Sequence, residues 1–575
     1  MTVSQPAQEN RPGFIRRNVP VTAWLPQYQR AWLTSDLVAG ITVWALLVPE
    51  ALAYAQIAGV PVQYGLYAAP FALIAYAIFG GSKRLSVGPT STVAIISASV
   101  IAPLAAAGSQ HYLSLTIMLA IMTGVVLVAA GVARLGFVAK FLAKPVLQGF
   151  IFGLAITIAL GQAGKLFGIH TTGDTALQKL ISIFQQIGDW RLLPFVLGAG
   201  CLAALFLLSK YLPRLPAAII VVAIATVLAY ALNLGAHGLV LVGKVPSGFP
   251  GWHLTGITLE DFYHLLPGAL AVALVAFSES IAVARSDADK YDYRINTNQE
   301  MIANGLSNVG AGLFQGFAVN GSLSKTAASD AAGDKSQLSS FVTAALVFLT
   351  LLFLTPLFKY LPEATLGAIV IHALWHYFDP SWMARYYRVR KVDLGLALAA
   401  LLGVVLFGVL PGILAGVVLS LALLLNRVGS PHTAVLGREP GGTRFADLAN
   451  HPDYETVPGI LIYRFDAALV FPNAELFAEE VRTLMHKTEP PVRIVVIDCE
   501  AISDMDTTAS DQFLNLLDAL EKLNVSICLA RVHEPVREFM SKDGIIEAVG
   551  VDHIYPRVID AVDAFEGRTT ENSAE

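Results

Sequence analysis

The sequence predicts an α-helical polytopic membrane protein, with fourteen spans arranged as two inverted seven-span repeats, followed by a soluble α/β domain. Three observations carry that prediction. Charge is divided along the 575-residue chain: residues 1–430 hold 26 Lys+Arg and 17 Asp+Glu, and residues 431–575 hold 12 and 26. The first part is therefore +9 and sparsely charged, whereas the tail is −14 and as densely charged as an ordinary soluble domain, about 25%. Fourteen apolar segments fill the first part, and the third and tenth both open on a glycine-interrupted, hydroxyl-rich stretch.

A bilayer core of about 30 Å asks for about 20 apolar residues in a helix. Candidate spans lie at 37–58, 66–81, 90–107, 113–133, 145–163, 192–209 and 214–233, then at 263–284, 299–318, 323–333, 339–360, 363–377, 393–409 and 412–426. Several are too short to cross alone. The loops after even-numbered spans hold Lys83 and Arg84, then Arg134, Lys140 and Lys144, then Lys210 and Arg214, then Arg285, Lys290 and Arg294, and finally Arg385, Arg388, Arg390 and Lys391. By the positive-inside rule these loops are cytoplasmic. Segment 164–191, with Lys165, Lys179 and Arg191, is the exception on the outer side.

Residues 1–35 are polar, basic and proline-bearing, without the apolar run of a signal peptide. They read as a cytoplasmic N-terminal segment, and an even span count returns the C-terminus to the same side of a plasma (inner) membrane. The resulting division is 36–428 for the membrane domain, 429–456 for a linker, 457–567 for the soluble domain and 568–575 for a disordered tail. In the soluble part strands are expected at 460–465, 468–471, 494–498 and 526–530, with helices from about Asn473, near Asp506, near 534–540 and around 558–566. Asp506 is the expected N-cap of the second helix.

Residues 85–94 and 321–333 begin the third and tenth spans, equivalent positions in two repeats of seven. Because seven is odd, the second repeat is inverted, and paired broken helices at matching positions point to a transporter's binding site at mid-membrane. Two helix N-termini facing each other inside the bilayer would form an anion site, through free N–H groups and about half a positive charge each. Pro89 suits the first position of such a helix. Thr90, Ser91 and Thr92 on one side, and Ser322 and Ser324 on the other, supply hydroxyl donors, with Leu323 in the same binding set, and Lys325 supplies a full charge. The competing reading is that small residues merely let helices pack closely. Acids are costly in apolar spans. Glu50 and Glu279 are therefore candidates to carry a proton with the substrate, against the alternative of a satisfied helix–helix hydrogen bond. His170, His372 and His376 lie near span ends and read as packing or solvated groups.

Other chemistries find little support. Cys201, Cys499 and Cys528 have neither metal-ligand spacing nor a paired framework. No phosphate-binding Gly-x-x-x-x-Gly-Lys-Ser/Thr loop, no Gly-x-Ser-x-Gly elbow and no metal-binding cluster occurs, so no cofactor, enzyme activity or nucleic-acid partner is expected.

The blocks Val48-Pro-Glu-Ala-Leu-Ala-Tyr-Ala-Gln-Ile-Ala-Gly-Val-Pro61 with Tyr64-Gly-Leu-Tyr-Ala-Ala69, Gly80-Gly-Ser-Lys-Arg-Leu-Ser-Val-Gly-Pro89, Asn298-Gln-Glu-Met-Ile-Ala-Asn-Gly305 and Gly321-Ser-Leu-Ser-Lys-Thr-Ala327 resemble the signature of the SulP sulfate permeases and related anion transporters, from about residue 30 to 567. The resemblance implies a core-and-gate fold shared with nucleobase permeases, an anion held between spans 3 and 10, a homodimer and a cytoplasmic STAS domain. It places Glu50 at a polar first-span position facing the substrate. Glu279 falls at an eighth-span acid linked to proton or cation coupling, and Ser322, Ser324 and Lys325 at tenth-span anion contacts. The family commonly has Arg at the Lys325 position, and a point charge holds an oxyanion differently from a planar fork. Asp506-Thr-Thr-Ala509 resembles the STAS loop that carries a phosphorylatable hydroxyl in soluble relatives, which puts Thr508 there, against plain helix capping. The expected activity is proton-coupled uptake of a small oxyanion, sulfate first. Sodium-coupled bicarbonate transport, proton-coupled dicarboxylate transport and an anion-sensing receptor stand as alternatives.

Overall fold

The computed structural model describes residues 19–137, 143–169, 171–173, 175–212, 216–251 and 256–567. Lys140, His170, Arg214, most of the N-terminal segment and the 568–575 tail lie outside them. The chain divides into two compact units with the boundary after Ser420.

The first unit is helical. Its helices are α1 (Leu33–Ile57), α2 (Gln63–Phe79), α3 (Ser91–Ile101), α4 (Gln110–Val132), α5 (Lys144–Phe167), α6 (Ala176–Gln185), α7 (Leu192–Tyr211) and α8 (Ala217–Ala231). They continue as α9 (Leu259–Lys290), α10 (Thr297–Leu313), α11 (Leu323–Ala331), α12 (Leu338–Leu349), α13 (Glu363–Leu374), α14 (Ser381–Val389) and α15 (Lys391–Phe407), and α16 (Val409–Gly429) contains the boundary. A helix occupies each segment read as a span, and α6 and α14 are additional short amphipathic helices. Among the described residues, six helices are long and apolar enough to cross a bilayer unaided: Arg30–Ile57, Gln110–Val132, Lys144–Phe167, Leu192–Tyr211, Leu259–Lys290 and Leu338–Tyr360. The last continues α12 through a π-turn at Thr350–Leu354 and a 3-10 segment at Thr355–Tyr360, where Pro356 has no N–H to extend the α ladder.

Glycine sets how closely the helices cross. A Cβ on Gly124 of α4 would lie 2.6 Å from the Gly305 carbonyl of α10, and one on Gly305 would lie 2.7 Å from the Gly124 carbonyl. The two backbones touch directly, the small-residue packing expected where lipid is the solvent. At the start of α10 two of the sequence blocks form one joint. Glu300, fully buried, accepts hydrogen bonds from Tyr76 (2.5 Å), Gly81 N (2.6 Å) and Ser82 N (3.2 Å). Arg84 donates to the Asp334 carbonyl at 2.8 Å, pairs with Asp287 at 3.4 Å and stacks on Tyr291 at 3.6 Å. These residues hold helices together rather than face a ligand.

Two very short strands, β1 (Val87–Gly88) and β2 (Asn320–Gly321), pair antiparallel inside this unit. The second unit holds a six-stranded sheet made of β3 (Thr433–Arg438), β4 (Phe445–Asp447), β5 (Ile460–Phe465), β6 (Ile494–Asp498), β7 (Ser526–Ala530) and β8 (Ile554–Tyr555), in the order β4-β3-β5-β6-β7-β8. β5 to β8 are parallel neighbours, and β3 runs antiparallel to β4 and β5. The helices are α17 (Ala474–Lys487), α18 (Thr507–Glu521), α19 (Glu534–Lys542), α20 (Ile545–Val549) and α21 (Val558–Glu566). Phe465, Phe477 and Phe513 are at most 1% exposed at its centre.

Two expectations change here. Segment 429–456, read as a linker, contributes β3 and β4 to the sheet. Its alternating Thr-Ala-Val-Leu-Gly-Arg run is short and flanked by Pro431 and glycines, which hid the pattern. Residues 468–471 form no strand: only a single bridge joins Leu469 to Met505. Asn473 turns the chain instead, accepting from Val470 N at 2.9 Å and donating to the Ala468 carbonyl at 3.0 Å. Burial pushes the Cys528 thiol up to about 11 and the Cys499 thiol up as well, so both stay protonated and all three cysteines are free.

Asp506 caps α18 as expected, accepting from Ala509 N at 2.8 Å, and its second oxygen accepts from Phe471 N at 2.7 Å. Asp506→Ala is expected to lower the stability of this unit by about 1–2 kcal/mol, since it removes both a cap and a loop tie. Urea unfolding of the full-length protein, followed by the protease sensitivity of the soluble unit, measures it; an unchanged midpoint would remove the cap from the account.

Candidate functional site

The β1–β2 pair builds the site. Val87 pairs with Gly321 and Gly88 with Asn320, and the ladder extends through Ser322 N to the Ser86 carbonyl at 2.9 Å. Each strand runs directly into a helix, β1 into α3 and β2 into α11. Antiparallel strands therefore send the two helices away in opposite directions, with their N-termini left close together. Gly321 is required by this approach: a Cβ there would sit 2.9 Å from Leu85 and 3.1 Å from the Ser280 Cα. The two N-termini are finished differently. Ser322 is the N-cap of α11 and accepts from Lys325 N at 3.4 Å. Thr90 is the N-cap of α3, but its hydroxyl donates to Asn320 Oδ1 instead of capping, which leaves the first-turn N–H groups of α3 uncapped by it. Pro89, expected at the first helical position, lies one residue ahead of the N-cap.

A cavity of 670 Å³ opens at this point, and Glu50, Thr90, Ser91, Thr92, Glu279, Ser322, Leu323 and Ser324 all line it. The structure thus gathers the sequence-predicted residues of the membrane unit around one space, from helices α1, α3, α9 and α11. Lys325 stands behind the wall, 1% exposed. Its Nζ donates to Glu50 Oε2 and to the Pro89 carbonyl, both at 3.0 Å, and lies 5.8 Å from the centre of the Tyr54 ring. The full charge expected to meet an anion is therefore balanced, in this arrangement, by the acid of the first span. Thr508 lies elsewhere, exposed at the start of α18 in the soluble unit.

Glu279 is held from one side only. Its Oε2 accepts from Asn320 Nδ2 at 2.6 Å, which links it through Asn320 to Thr90. Its Oε1 is buried and makes no hydrogen bond among the described residues, and the same holds for the neighbouring Ser278 hydroxyl. Both residues line the cavity. A buried polar atom left alone costs about 1–3 kcal/mol, and here an acceptor and a donor on two residues that line the cavity have no hydrogen-bond partner among the described residues.

Asn320 and Ser278 were not singled out in the sequence. Asn320 sits one residue before the hydroxyl-rich stretch, and Ser278 looks like any small residue of an apolar helix. His372, read as packing, lines the cavity and bonds to Ser209 at 3.2 Å. Among the described residues no group of three or more His, Cys, Asp or Glu is placed to hold a metal.

The model of the "Sulfate permease family" matches residues 33–400 of this chain. The chain belongs to that family. A STAS domain model matches residues 451–561. A protein named "Probable sulfate transporter" from Mycobacterium tuberculosis is 37% identical over 542 residues, covering 94% of this chain and 97% of its own length. High affinity sulfate transporter 2 of Stylosanthes hamata is 31% identical, over 96% of this chain and 86% of its own length. In fold, the chain matches the murine Solute Carrier 26 member A9 anion transporter, described as inward-facing, with a TM-score of 0.89 at 23% identity over 99% of both chains. The transmembrane domain of a cyanobacterial bicarbonate transporter, BicA, matches with a TM-score of 0.60 at 21% identity, over 68% of this chain and 98% of that one. This sulfate permease family member is a secondary transporter of small anions, with a polytopic helical membrane part and a C-terminal STAS domain.

Proposed function

We propose that this protein imports sulfate together with protons, by alternating access, with the anion held in the 670 Å³ cavity between the N-termini of α3 and α11. The observation that carries this reading is the joining of both half-sites by β1 and β2 around a space lined by hydroxyls, helix N-termini and two acids. Relatives 30–37% identical bear the name sulfate transporter. Thr90, Ser91, Ser322, Leu323, Ser324 and Lys325 form the anion-binding set. Glu50 and Glu279 carry the proton: while Glu50 is ionised it occupies the Lys325 ammonium, and its protonation frees that charge for the anion. Glu279, with one oxygen committed to Asn320 and the other without a hydrogen bond among the described residues, accepts a proton without dismantling the clamp.

The fourteen helices are read as fourteen spans in two inverted repeats of seven, a core moving against a gate. Both termini are cytoplasmic in the plasma membrane, and the protein acts as a homodimer. The membrane domain is taken as 36–428 and the soluble domain as ending at 567, with β3 extending it back to Thr433. Thr508, exposed beside the Asp506 cap, is its proposed regulatory hydroxyl.

Purified protein in liposomes is expected to take up labelled sulfate faster when the outside is more acidic than the lumen. Glu279→Gln is expected to abolish that acceleration while leaving sulfate exchange at equal pH. Acceleration that survives the substitution removes Glu279 from coupling. An identical rate with and without the gradient in the wild type removes protons from the mechanism. Competition by bicarbonate, succinate, fumarate and chloride against labelled sulfate tests the substrate.

A further inference from the structure

The short helix α14 is absent from the span reading, and the anion site makes no use of it. Its buried side is fixed: Trp382 and Tyr386 are 8% and 9% exposed and pack in one cluster with Ala397 of α15, flanked by Phe152 of α5. The Tyr386 hydroxyl also donates to Gln148 Oε1 of α5. The helix therefore cannot roll, and it presents one constant face outward. That face is basic. Arg385, Arg388, Arg390 and Lys391 are all exposed, and Lys144 is exposed one turn before Gln148 at the start of α5. Among the described residues Arg385 and Arg388 enter no ion pair or hydrogen bond.

The acids beside this patch are few and already engaged. Asp379 accepts from Ser381 N at 2.9 Å and from its hydroxyl at 2.7 Å, and Asp393 lies 4.0 Å from Arg390. Five cations thus face two occupied carboxylates. Next to the basic groups stand exposed apolar side chains, Tyr387 at 64%, Val389 at 75% and Val392 at 52%, and Lys391 lies 5.6 Å from the centre of the Tyr387 ring. Exposed cations beside an exposed aromatic and two exposed valines, on α14 and the start of α15, are the composition of a helical segment that lies in the bilayer interface. Guanidinium groups bind phosphate oxygens in pairs through their planar fork.

We propose that α14 and the adjoining starts of α15 and α5 form a binding site for the phosphate headgroup of an anionic phospholipid in the leaflet that this end of the membrane unit faces. On the proposed orientation that is the cytoplasmic leaflet. The charge balance and the apolar flank both favour a lipid over a free anion, because a soluble anion would leave Tyr387, Val389 and Val392 without a role. Since α14 is packed on α5 and α15, a bound headgroup would tether these helices in the membrane plane.

The test uses full-length protein in mild detergent. Its apparent melting temperature is followed while phosphatidylglycerol, phosphatidylcholine or inorganic phosphate is added. Phosphatidylglycerol is expected to raise the melting temperature, and phosphatidylcholine and inorganic phosphate to leave it unchanged. The double variant Arg385→Gln with Arg388→Gln is expected to need about tenfold more phosphatidylglycerol for the same rise. Arg385→Lys with Arg388→Lys is expected to stay within a few-fold of wild type, and Lys359→Gln, an exposed cation on another helix, to match it. Added salt is expected to weaken the effect. Equal stabilisation by phosphatidylcholine would overturn the headgroup assignment, as would full retention by the Gln double variant, and an equal response to inorganic phosphate would make it a site for a free anion. Both variants alter exposed side chains without internal partners, so a loss of fold does not compete as an explanation. Sulfate transport does not enter the readout, so the outcome is independent of the substrate proposal.

Discussion

Lys325→Met is expected to reduce anion uptake by about 10- to 100-fold. A hydrogen bond to a charged group contributes about 1.5–3 kcal/mol, and each 1.4 kcal/mol is a factor of ten. The substitution also strands Glu50, whose Oε2 has the Lys325 ammonium at 3.0 Å. Breaking a buried ion pair from one side costs about 3–5 kcal/mol, so the single variant is expected to lose stability as well as activity. The combined variant Lys325→Met with Glu50→Gln separates the two effects. With both charges gone, the melting temperature is expected to recover toward wild type, whereas uptake stays low because no cation remains for the substrate. Lys325→Arg keeps the charge but exchanges a compact ammonium for a fork, and is expected to retain part of the uptake with an altered preference among oxyanions. Full uptake by the double variant would show that Lys325 serves packing alone.

Gly305→Leu is expected to prevent recovery of folded protein. The Cβ would approach the Gly124 carbonyl to 2.7 Å and Val128 to 2.8 Å, at both its backbone N and its Cγ2. Backbone cannot turn aside as the tip of a long side chain can. Overpacking typically costs about 1–3 kcal/mol and occasionally more; a helix pair that meets backbone to backbone belongs at the upper end. Size-exclusion profiles and thermal unfolding in detergent measure the effect, with Gly305→Ala as a graded intermediate. A monodisperse Leu variant with a wild-type melting temperature would show that α4 and α10 separate freely.

The parts legible in the sequence were those with a local signal. Charges inside apolar segments announce themselves by their cost, so Glu50, Glu279 and Lys325 stood out, and the hydroxyl-rich stretches marked where two helices begin. The relations between them were not legible. Lys325 pairs with Glu50, 275 positions away, and no periodicity reports such a contact. The β1–β2 ladder has two residues on each side, too few for an alternation to show. Asn320 connects Glu279 to Thr90 only because that ladder places it between them. The block Asn298 to Gly305 looked like part of the same functional signature, yet Glu300 and Gly305 serve helix joints. In the soluble unit, β5, β6 and β7 were visible as continuous apolar runs, whereas β3 and β4 at the sheet's end alternate over only a few residues and passed for a connector.

The β1–β2 pair has a thermodynamic consequence. The two helix ends that surround the anion are tied by a backbone ladder, by Ser322 to Ser86 and by Asn320 to Thr90 and Glu279. These ties join the two ends into one body. If that body travels whole, its own contacts with the anion are the same on either side of the membrane. Net direction is then supplied entirely by the gradients, and the same protein run under a reversed proton gradient should export what it otherwise imports.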